Sequence, residues 1–315
     1  MLNSIEICAG AGGQALGLEQ AGFCHLALVE YEKEYCSCLK QNRPEWNVIC
    51  QDVREFGGND YYGKVDLLAG GVPCPPFSIA GQQRGADDER DLFPHMLRLV
   101  REINPKAVMI ENVRGLLDAK FHDYRTSILE KLDDFGYNTY VKLINASDHG
   151  VPQLRPRVII IGIRKDLNTT FNFPEPSPDK TPLVGDVLFE LMASNGWRHV
   201  DDWRKKALKI APTVVGGSKK HGGPDLGPTR ARKAWAELGI DGKGIANDSP
   251  SHDFEGMPRL TPRMLARVQG FPDSWSFGTK KTAACRMIGN AFPPPVAEQI
   301  GLQIIKAISN VSTDC

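Results

Sequence analysis

The chain has 315 residues, enough for one large domain with a smaller one beside it. Hydrophobic residues make up 41% and charged residues 24%, as in soluble globular proteins, and no apolar run nears the ~18 residues of a membrane span. The first residues carry no basic stretch and no cleavage site, so export and membrane insertion are not expected. Eight cysteines lack any CxxC pair or metal-type spacing, which predicts reduced thiols and no metal.

Ser4–Cys8 reads as a strand. A glycine-rich turn then opens a helix over Gln14–Ala21 that stops at Gly22. His25–Glu30 reads as a second strand, Lys33–Gln41 as a helix carrying Cys36 and Cys38, and Asn47–Ile49 leads to Gln51 and Asp52. Val65–Ala69 is the next strand. A helix over Phe93–Ile103 precedes the strand Ala107–Glu111. A helix over Tyr124–Phe135 precedes the strands Tyr137–Asn145 and Arg157–Gly162. β-Branched strands separated by amphipathic helices predict an α/β protein with a doubly wound, mostly parallel sheet.

The texture changes near Asp166. Pro174, Pro176, Pro178 and Pro182 form a proline-rich connector, and glycines and charges dominate to about Gly256. This predicts a second, smaller, loop-rich domain over residues 167–284. An apolar helix, Val296–Ile308, then returns to the first domain, which comprises residues 1–166 and 285–315. The net charge is zero, but residues 1–166 carry 19 basic and 23 acidic side chains against 17 and 13 in residues 167–284. Between Arg198 and Lys233 ten basic residues meet only Asp201, Asp202 and Asp225. An excess of that size can neutralise phosphates.

Two places carry chemistry. Cys8-Ala9-Gly10-Ala11-Gly12-Gly13 joins the first strand to the first helix, where glycines let a ligand approach the backbone. Glu30 ends the second strand, where an acid binds ribose hydroxyls, and Asp52 follows the third, where it can accept from an adenine amino group. A glycine loop with two acids and no dinucleotide spacing predicts an adenosine cofactor with no phosphate to hold. S-adenosylmethionine fits that better than NAD. The second place is Gly70-Gly71-Val72-Pro73-Cys74-Pro75-Pro76-Phe77-Ser78, which presents a thiol at a strand's carboxyl end. That is the edge where ligands bind in open α/β sheets, and a thiolate there is a candidate nucleophile.

In this order and spacing the chain resembles the DNA cytosine-5 methyltransferases of bacterial restriction–modification systems, over nearly its whole length. The blocks are Ala9–Gly13, Pro73–Ser78, Glu111-Asn112-Val113, Gln153-Leu154-Arg155-Pro156-Arg157, Arg259–Arg263, Arg267–Pro272 and Gly289-Asn290-Ala291. Two positions depart from the family pattern. Cys8 stands where an aromatic is usual, and Pro75 where glutamine is common.

The resemblance implies an S-adenosylmethionine-dependent methyltransferase fold with a target-recognition domain. It implies that Cys74 adds to C6 of a flipped-out cytosine, that Glu111 holds the N3 side, and that Arg157 contacts O2. Arg155 supports the same site or a phosphate, and the two arginines are expected to point to opposite faces of their segment. The cofactor pocket would be lined by Cys8, Ala9, Gly10, Ala11, Gly12, Gly13, Glu30, Tyr31, Asp52, Val53, Pro73, Leu92, Asn290 and Ala291. Ser78, Gln82 and Arg84, in a lid extending the nucleophile loop, would contact duplex DNA, as would Arg230, Arg232 and Lys233. The enzyme is expected to act as a monomer in the bacterial cytoplasm, without metal. A tRNA-methylating relative and a catalytically silent DNA-binding module are the competing readings.

Overall fold

The computed structural model describes residues 1–73, 91–177, 179–216 and 224–309. A seven-stranded sheet, in the order β3-β2-β1-β4-β5-β7-β6, forms its centre. The strands are β1 (Leu2–Ile7), β2 (Phe23–Glu30), β3 (Val48–Cys50), β4 (Leu67–Gly70), β5 (Ala107–Val113), β6 (Tyr137–Asn145) and β7 (Pro156–Arg164). β3 through β5 run parallel, and β7 lies antiparallel between β5 and β6. The mostly parallel sheet expected from the pattern is therefore present. All of β4 is buried, as befits a strand covered on both faces.

The helices are α1 (Gly13–Ala21), α2 (Lys33–Asn42), α3 (Phe93–Ile103), α4 (His122–Asp134), α5 (Val184–Ala193), α6 (Val200–Lys206), α7 (Thr229–Glu237), α8 (Pro262–Val268), α9 (Lys281–Asn290) and α10 (Pro294–Ser309). α1 stops where expected, at Gly22, whose left-handed φ of 110° lets its N–H reach the carbonyls of Leu18 and Glu19. Cys36 and Cys38 both lie buried on α2.

From β1 the chain winds outward through β2 to β3, then crosses back to β4 on the other side of β1. The reversal leaves a crevice beyond the carboxyl ends of β1 and β4, the place where open α/β sheets bind ligands. The segments leaving those two strands are Cys8–Gly12 and Gly71–Pro73, so the topology itself brings the glycine loop beside the segment that leads to Cys74.

The stretch that reads as loop-rich contains α5, α6 and α7. They have 10, 7 and 9 residues, none longer than α2, but no strand and turn directly before them mark their starts. Tryptophans anchor it: Trp197, Trp203 and Trp235 are at most 5% exposed. They belong to a continuous apolar cluster that also takes in Leu16 of α1, Leu39 of α2 and Trp46. A second cluster fills the α3 and α4 face of the sheet, and a third lies between the sheet and α10.

α10 returns to α1 as expected, and the two helices meet backbone to backbone. A Cβ placed on Gly17 would lie 2.3 Å from the Pro294 carbonyl oxygen and 2.6 Å from Ala297 Cβ. Gly17→Ala gains up to ~1 kcal/mol of helix propensity. The overpacking costs more, so net destabilisation of about 1–3 kcal/mol is expected. Urea denaturation checks this: the midpoint should fall at unchanged slope. A midpoint at or above that of the wild type would show that the two helices can part without cost.

Candidate active site

Glu30 builds the first wall. Its Oε2 accepts from the Gly10 N–H at 2.8 Å and its Oε1 from the Glu32 N–H at 2.8 Å. One carboxylate thus ties the glycine loop of β1 to the loop after β2. Burial raises its pKa, and these backbone donors offset part of the rise. The loop turns through left-handed conformations at Cys8, Gly10 and Gly12.

Its glycines divide into two kinds. A Cβ on Gly10 would find nothing nearer than 3.9 Å, so Gly10 leaves open space. A Cβ on Gly12 would strike Leu39 at 2.6 Å and Trp275 at 2.9 Å, and one on Gly13 would lie 2.1 Å from the Phe292 carbonyl. Gly12 and Gly13 therefore serve close packing of α1 rather than close approach of a ligand.

A cleft of about 700 Å³ opens over this loop. Of the predicted cofactor residues, Cys8, Gly10, Glu30, Tyr31, Asp52, Val53, Pro73, Leu92 and Asn290 line it. Ala9, Ala11, Gly13 and Ala291 line a smaller cavity of about 60 Å³ that shares Cys8, Gly10, Gly71 and Asn290 with the cleft. Gly12 lines neither. Asp52 stands two residues beyond β3, and both its oxygens meet the Arg54 guanidinium, which holds its pKa below the usual carboxylate range. Arg286, the other basic residue of the wall, is paired with Glu34 at 3.0 Å. Burial and the nearby carboxylates of Glu30, Glu6 and Asp52 push the Cys8 thiol far up, so Cys8 is a neutral thiol.

At the other end, Glu111 Oε1 meets Arg157 Nε at 2.6 Å, both side chains about 15% exposed. They reach each other because β5 and β7 pair antiparallel, with Val113 opposite Arg157. A Cβ on Gly71 would lie 3.0 Å from Glu111 Oε2, so a glycine leaves room for this carboxyl. Asn112 donates to the Val72 carbonyl at 2.8 Å and fixes the segment that ends at Pro73. Cys74, Ser78, Gln82 and Arg84 lie outside the described residues.

Arg155 is 1% exposed, and burial beside Arg157 lowers its pKa to about 9. It donates to the carbonyls of Val214 (2.9 Å) and Gly289 (2.7 Å) and so braces the site from within. It does diverge from Arg157, but not by strand alternation, which puts residues two apart on one face. Arg155 simply precedes β7, which begins at Pro156. Arg230 and Lys233 are exposed on α7, whereas Arg232 is half-buried beside Gly242.

Sequence reasoning missed Tyr35, Arg54 and Arg286 in the cleft wall, and Glu6 and Gln14 in the small cavity. One signal was available. Glu6 is an acid inside a strand that is otherwise apolar toward its end, and it is 1% exposed with Oε2 unpartnered. Both polar atoms of the Gln14 side chain are unpartnered too. Burial raises the Glu6 pKa well above the usual range. Glu30 adds to the rise, and the nearby Gln14 amide opposes it without meeting hydrogen-bond geometry.

Residues 2–306 match the C-5 cytosine-specific DNA methylase family. The chain is 54% identical over 308 residues to the Type II methyltransferase M.NgoMIV of Neisseria gonorrhoeae, with 97% of each covered. It is 50% identical over 314 residues to the Type II methyltransferase M.NaeI of Lentzea aerocolonigenes, covering 98% of this chain and 76% of that protein. Its fold is similar to that of a Spodoptera frugiperda DNMT2 variant, with a TM-score of 0.68 at 17% identity, over 97% of this chain and all of the other. The chain thus belongs to the C-5 cytosine-specific DNA methylase family and is a DNA cytosine methyltransferase of the restriction–modification type. Its seven-stranded sheet fits the S-adenosylmethionine-dependent methyltransferase fold. Among the described residues, no helix is long and apolar enough to cross a membrane, and no group of His, Cys, Asp or Glu is placed to hold a metal ion.

Glu6 yields a prediction for the free protein. The native state keeps the Glu6 proton to a higher pH than the unfolded chain does. Above the ordinary glutamate range the folded form therefore binds more protons, and stability falls as pH rises. Glu6→Gln removes that proton linkage and should stabilise the protein by roughly 1–3 kcal/mol at pH 8, and by less at pH 5. Thermal melts of both proteins at the two pH values measure this. A Gln variant with an equal gain at both would mean that Glu6 does not titrate abnormally.

Proposed function

We propose that the chain methylates C5 of a cytosine within a specific short duplex DNA sequence, using S-adenosylmethionine and a transient covalent bond from Cys74 to C6. The observation that carries this reading is the joining of two half-sites at one crevice. A cleft with carboxylates at the strand ends shares its wall with Gly71–Pro73, directly before Cys74 and beside the Glu111–Arg157 pair.

The residues present fit the cofactor. The cleft has the volume of a small-molecule site. Gly10 leaves room, Glu30 and Asp52 offer acceptors, and Val29, Val53 and Leu92 supply apolar walls. Among the described residues, its two basic side chains, Arg54 and Arg286, are committed to carboxylates. Glu30 and Asp52 would hold the adenosine. Bound there, S-adenosylmethionine supplies the methyl group.

The remaining steps fall to this chain's own side chains. The target base must leave the stack, at a cost of a few kcal/mol. The Cys74 thiolate forms a bond to C6, which makes C5 electron-rich. Glu111 donates toward N3 and offsets the charge that develops in the ring, and Arg157 orients both Glu111 and the base. C5 takes up the donated methyl group with its electron pair, and loss of the C5 proton to water then breaks the S–C6 bond and restores the thiolate. Residues 167–284, with Arg230, Arg232 and Lys233 on α7, would read the DNA, and Ser78, Gln82 and Arg84 would close on it. The enzyme would work as a monomer in the bacterial cytoplasm.

Tritiated methyl transfer to duplex DNA, with RNA as control, tests the reading. Cys74→Ser should abolish transfer, because an alcohol at neutral pH is a far weaker nucleophile than a thiolate. DNA with 5-fluorocytosine at the target should form a stable adduct that maps to Cys74, since fluorine cannot leave as a proton does. An adduct on another cysteine, or transfer to RNA alone, would refute the assignment.

Cofactor affinity supplies a second check. Asp52→Ala should weaken S-adenosylmethionine binding by about 1–3 kcal/mol. Glu30→Ala should weaken it more, because it also releases the N–H groups of Gly10 and Glu32. Calorimetry without DNA measures both. Unchanged affinity in both variants would place the cofactor elsewhere.

A further inference from the structure

One wall of the cleft comes from far along the chain. α9 presents Arg286 and Asn290 to the cleft from successive turns, and both line it. Behind them lies the segment Val214–Gly216, far away in sequence and part of the stretch expected to read DNA. It is fixed at Val214, whose N–H donates to Gln153 Oε1 at 2.7 Å and whose carbonyl accepts from Arg155. The same arginine holds the Gly289 carbonyl, so one guanidinium bridges the segment to α9.

The contact beyond that bridge leaves no space. A Cβ on Gly289 would lie 2.3 Å from the Gly216 nitrogen. A Cβ on Gly216 would lie 2.1 Å from Asn290 Oδ1, 2.7 Å from its Cγ and 3.0 Å from the Arg286 carbonyl oxygen. Gly216 shows no left-handed φ, so its backbone does not itself require glycine. A side chain there would first displace the Asn290 amide, and would also crowd the Arg286 carbonyl.

We propose that Gly216 is a positioning residue for the cofactor site: by carrying no side chain it lets Asn290 occupy the place from which it lines the cleft. This rests on the reading of that cleft as the S-adenosylmethionine site. Cofactor affinity is then set partly by the middle segment, through Asn290, with no contact between Gly216 and the cofactor. A glycine needed only for packing on Gly289 would affect folding but would not depend on the identity of residue 290.

The test is a double-mutant cycle read by calorimetry with S-adenosylmethionine and no DNA. Gly216→Ala should weaken binding tenfold or more. Asn290→Ala weakens it by its own amount, and Gly216→Ala/Asn290→Ala should bind within twofold of Asn290→Ala alone. In turnover, Gly216→Ala should raise KM for the cofactor and leave KM for DNA unchanged. Additive effects, or wild-type affinity in Gly216→Ala, would overturn the proposal. If Gly216→Ala does not fold, the double variant decides. Folding with the affinity of Asn290→Ala supports the proposal, and failure of the double variant to fold overturns it. Asp52→Ala separates the two readings. Binding lost in Asp52→Ala but kept in Gly216→Ala sinks only the Gly216 assignment. Binding kept in Asp52→Ala and lost in Gly216→Ala sinks the placement of the cofactor over Asp52 and leaves the Gly216 assignment standing.

Discussion

Two buried polar side chains, Gln153 and Arg155, hold the edge of the sheet that carries the candidate site together. Neither is more than 1% exposed. Gln153 donates to the Val268 carbonyl and to Gln269 Oε1, and accepts from the Val214 N–H. Gln269 in turn donates to the Ala291 carbonyl. With the two bonds of Arg155, the ends of α8 and α9 and the segment at Val214 are gathered onto one short stretch of chain. Removing the partner of a buried polar group costs about 1–3 kcal/mol, more for a charge. That penalty makes the arrangement specific, because a shifted register would strand several donors at once. Arg157 follows two residues later and points outward to Glu111. The stretch that anchors the interior therefore also delivers the side chain that pairs with Glu111.

The charges around the cleft have a consistent logic. Glu6, Glu30 and the Cys8 thiol all hold their protons more tightly than usual, chiefly through burial. Asp52 does the reverse, because Arg54 compensates it. A pocket with incompletely compensated acids favours a ligand that brings positive charge, as a sulfonium cofactor with an ammonium group does. The orphaned atoms of Glu6 and Gln14 lie in the small cavity that adjoins the glycine loop and Glu111. The polarity of the crevice thus continues below the loop, where no apolar side chain would leave such atoms unpaired.

Much of the sheet was legible because each strand of the first half is an apolar run bounded by turn residues. α3 and β6 fall on their expected bounds, and the other long elements differ by a few residues at their ends. The helices α5 to α7 were not legible, because they lack the preceding strand and turn that marked the equally short α1 and α2. At the site, residues on strand ends were readable, since β–turn–α spacing alone puts Glu30 at the crevice. Tyr35 and Arg286 were not, because they enter the wall only through the packing of α2 and α9. Glycines were read too generously. Gly10 faces open space, whereas Gly12 and Gly13 are fixed by Trp275 and Phe292, residues more than 250 positions away. No local pattern separates those two uses.

The apolar cluster that joins Leu16, Leu39 and Trp46 to Trp203 and Trp235 bears on how the two halves of the reaction meet. Ala9 and Ala11 of the glycine loop belong to it, and so do Met287 and Ile288 of α9. The core beneath the cleft over the glycine loop is therefore the same core that supports α6 and α7. Cores are packed to crystal-like density, so a displacement on one side is felt on the other rather than absorbed. Arg155, fixed between Val214 and Gly289, adds a polar tie along the same line. On the proposed reading, a base held by the middle segment and a methyl donor held over the glycine loop would share this core. Transfer between two bound molecules needs that shared frame, since an error of about 1 Å in their separation can cost on the order of a hundredfold in rate.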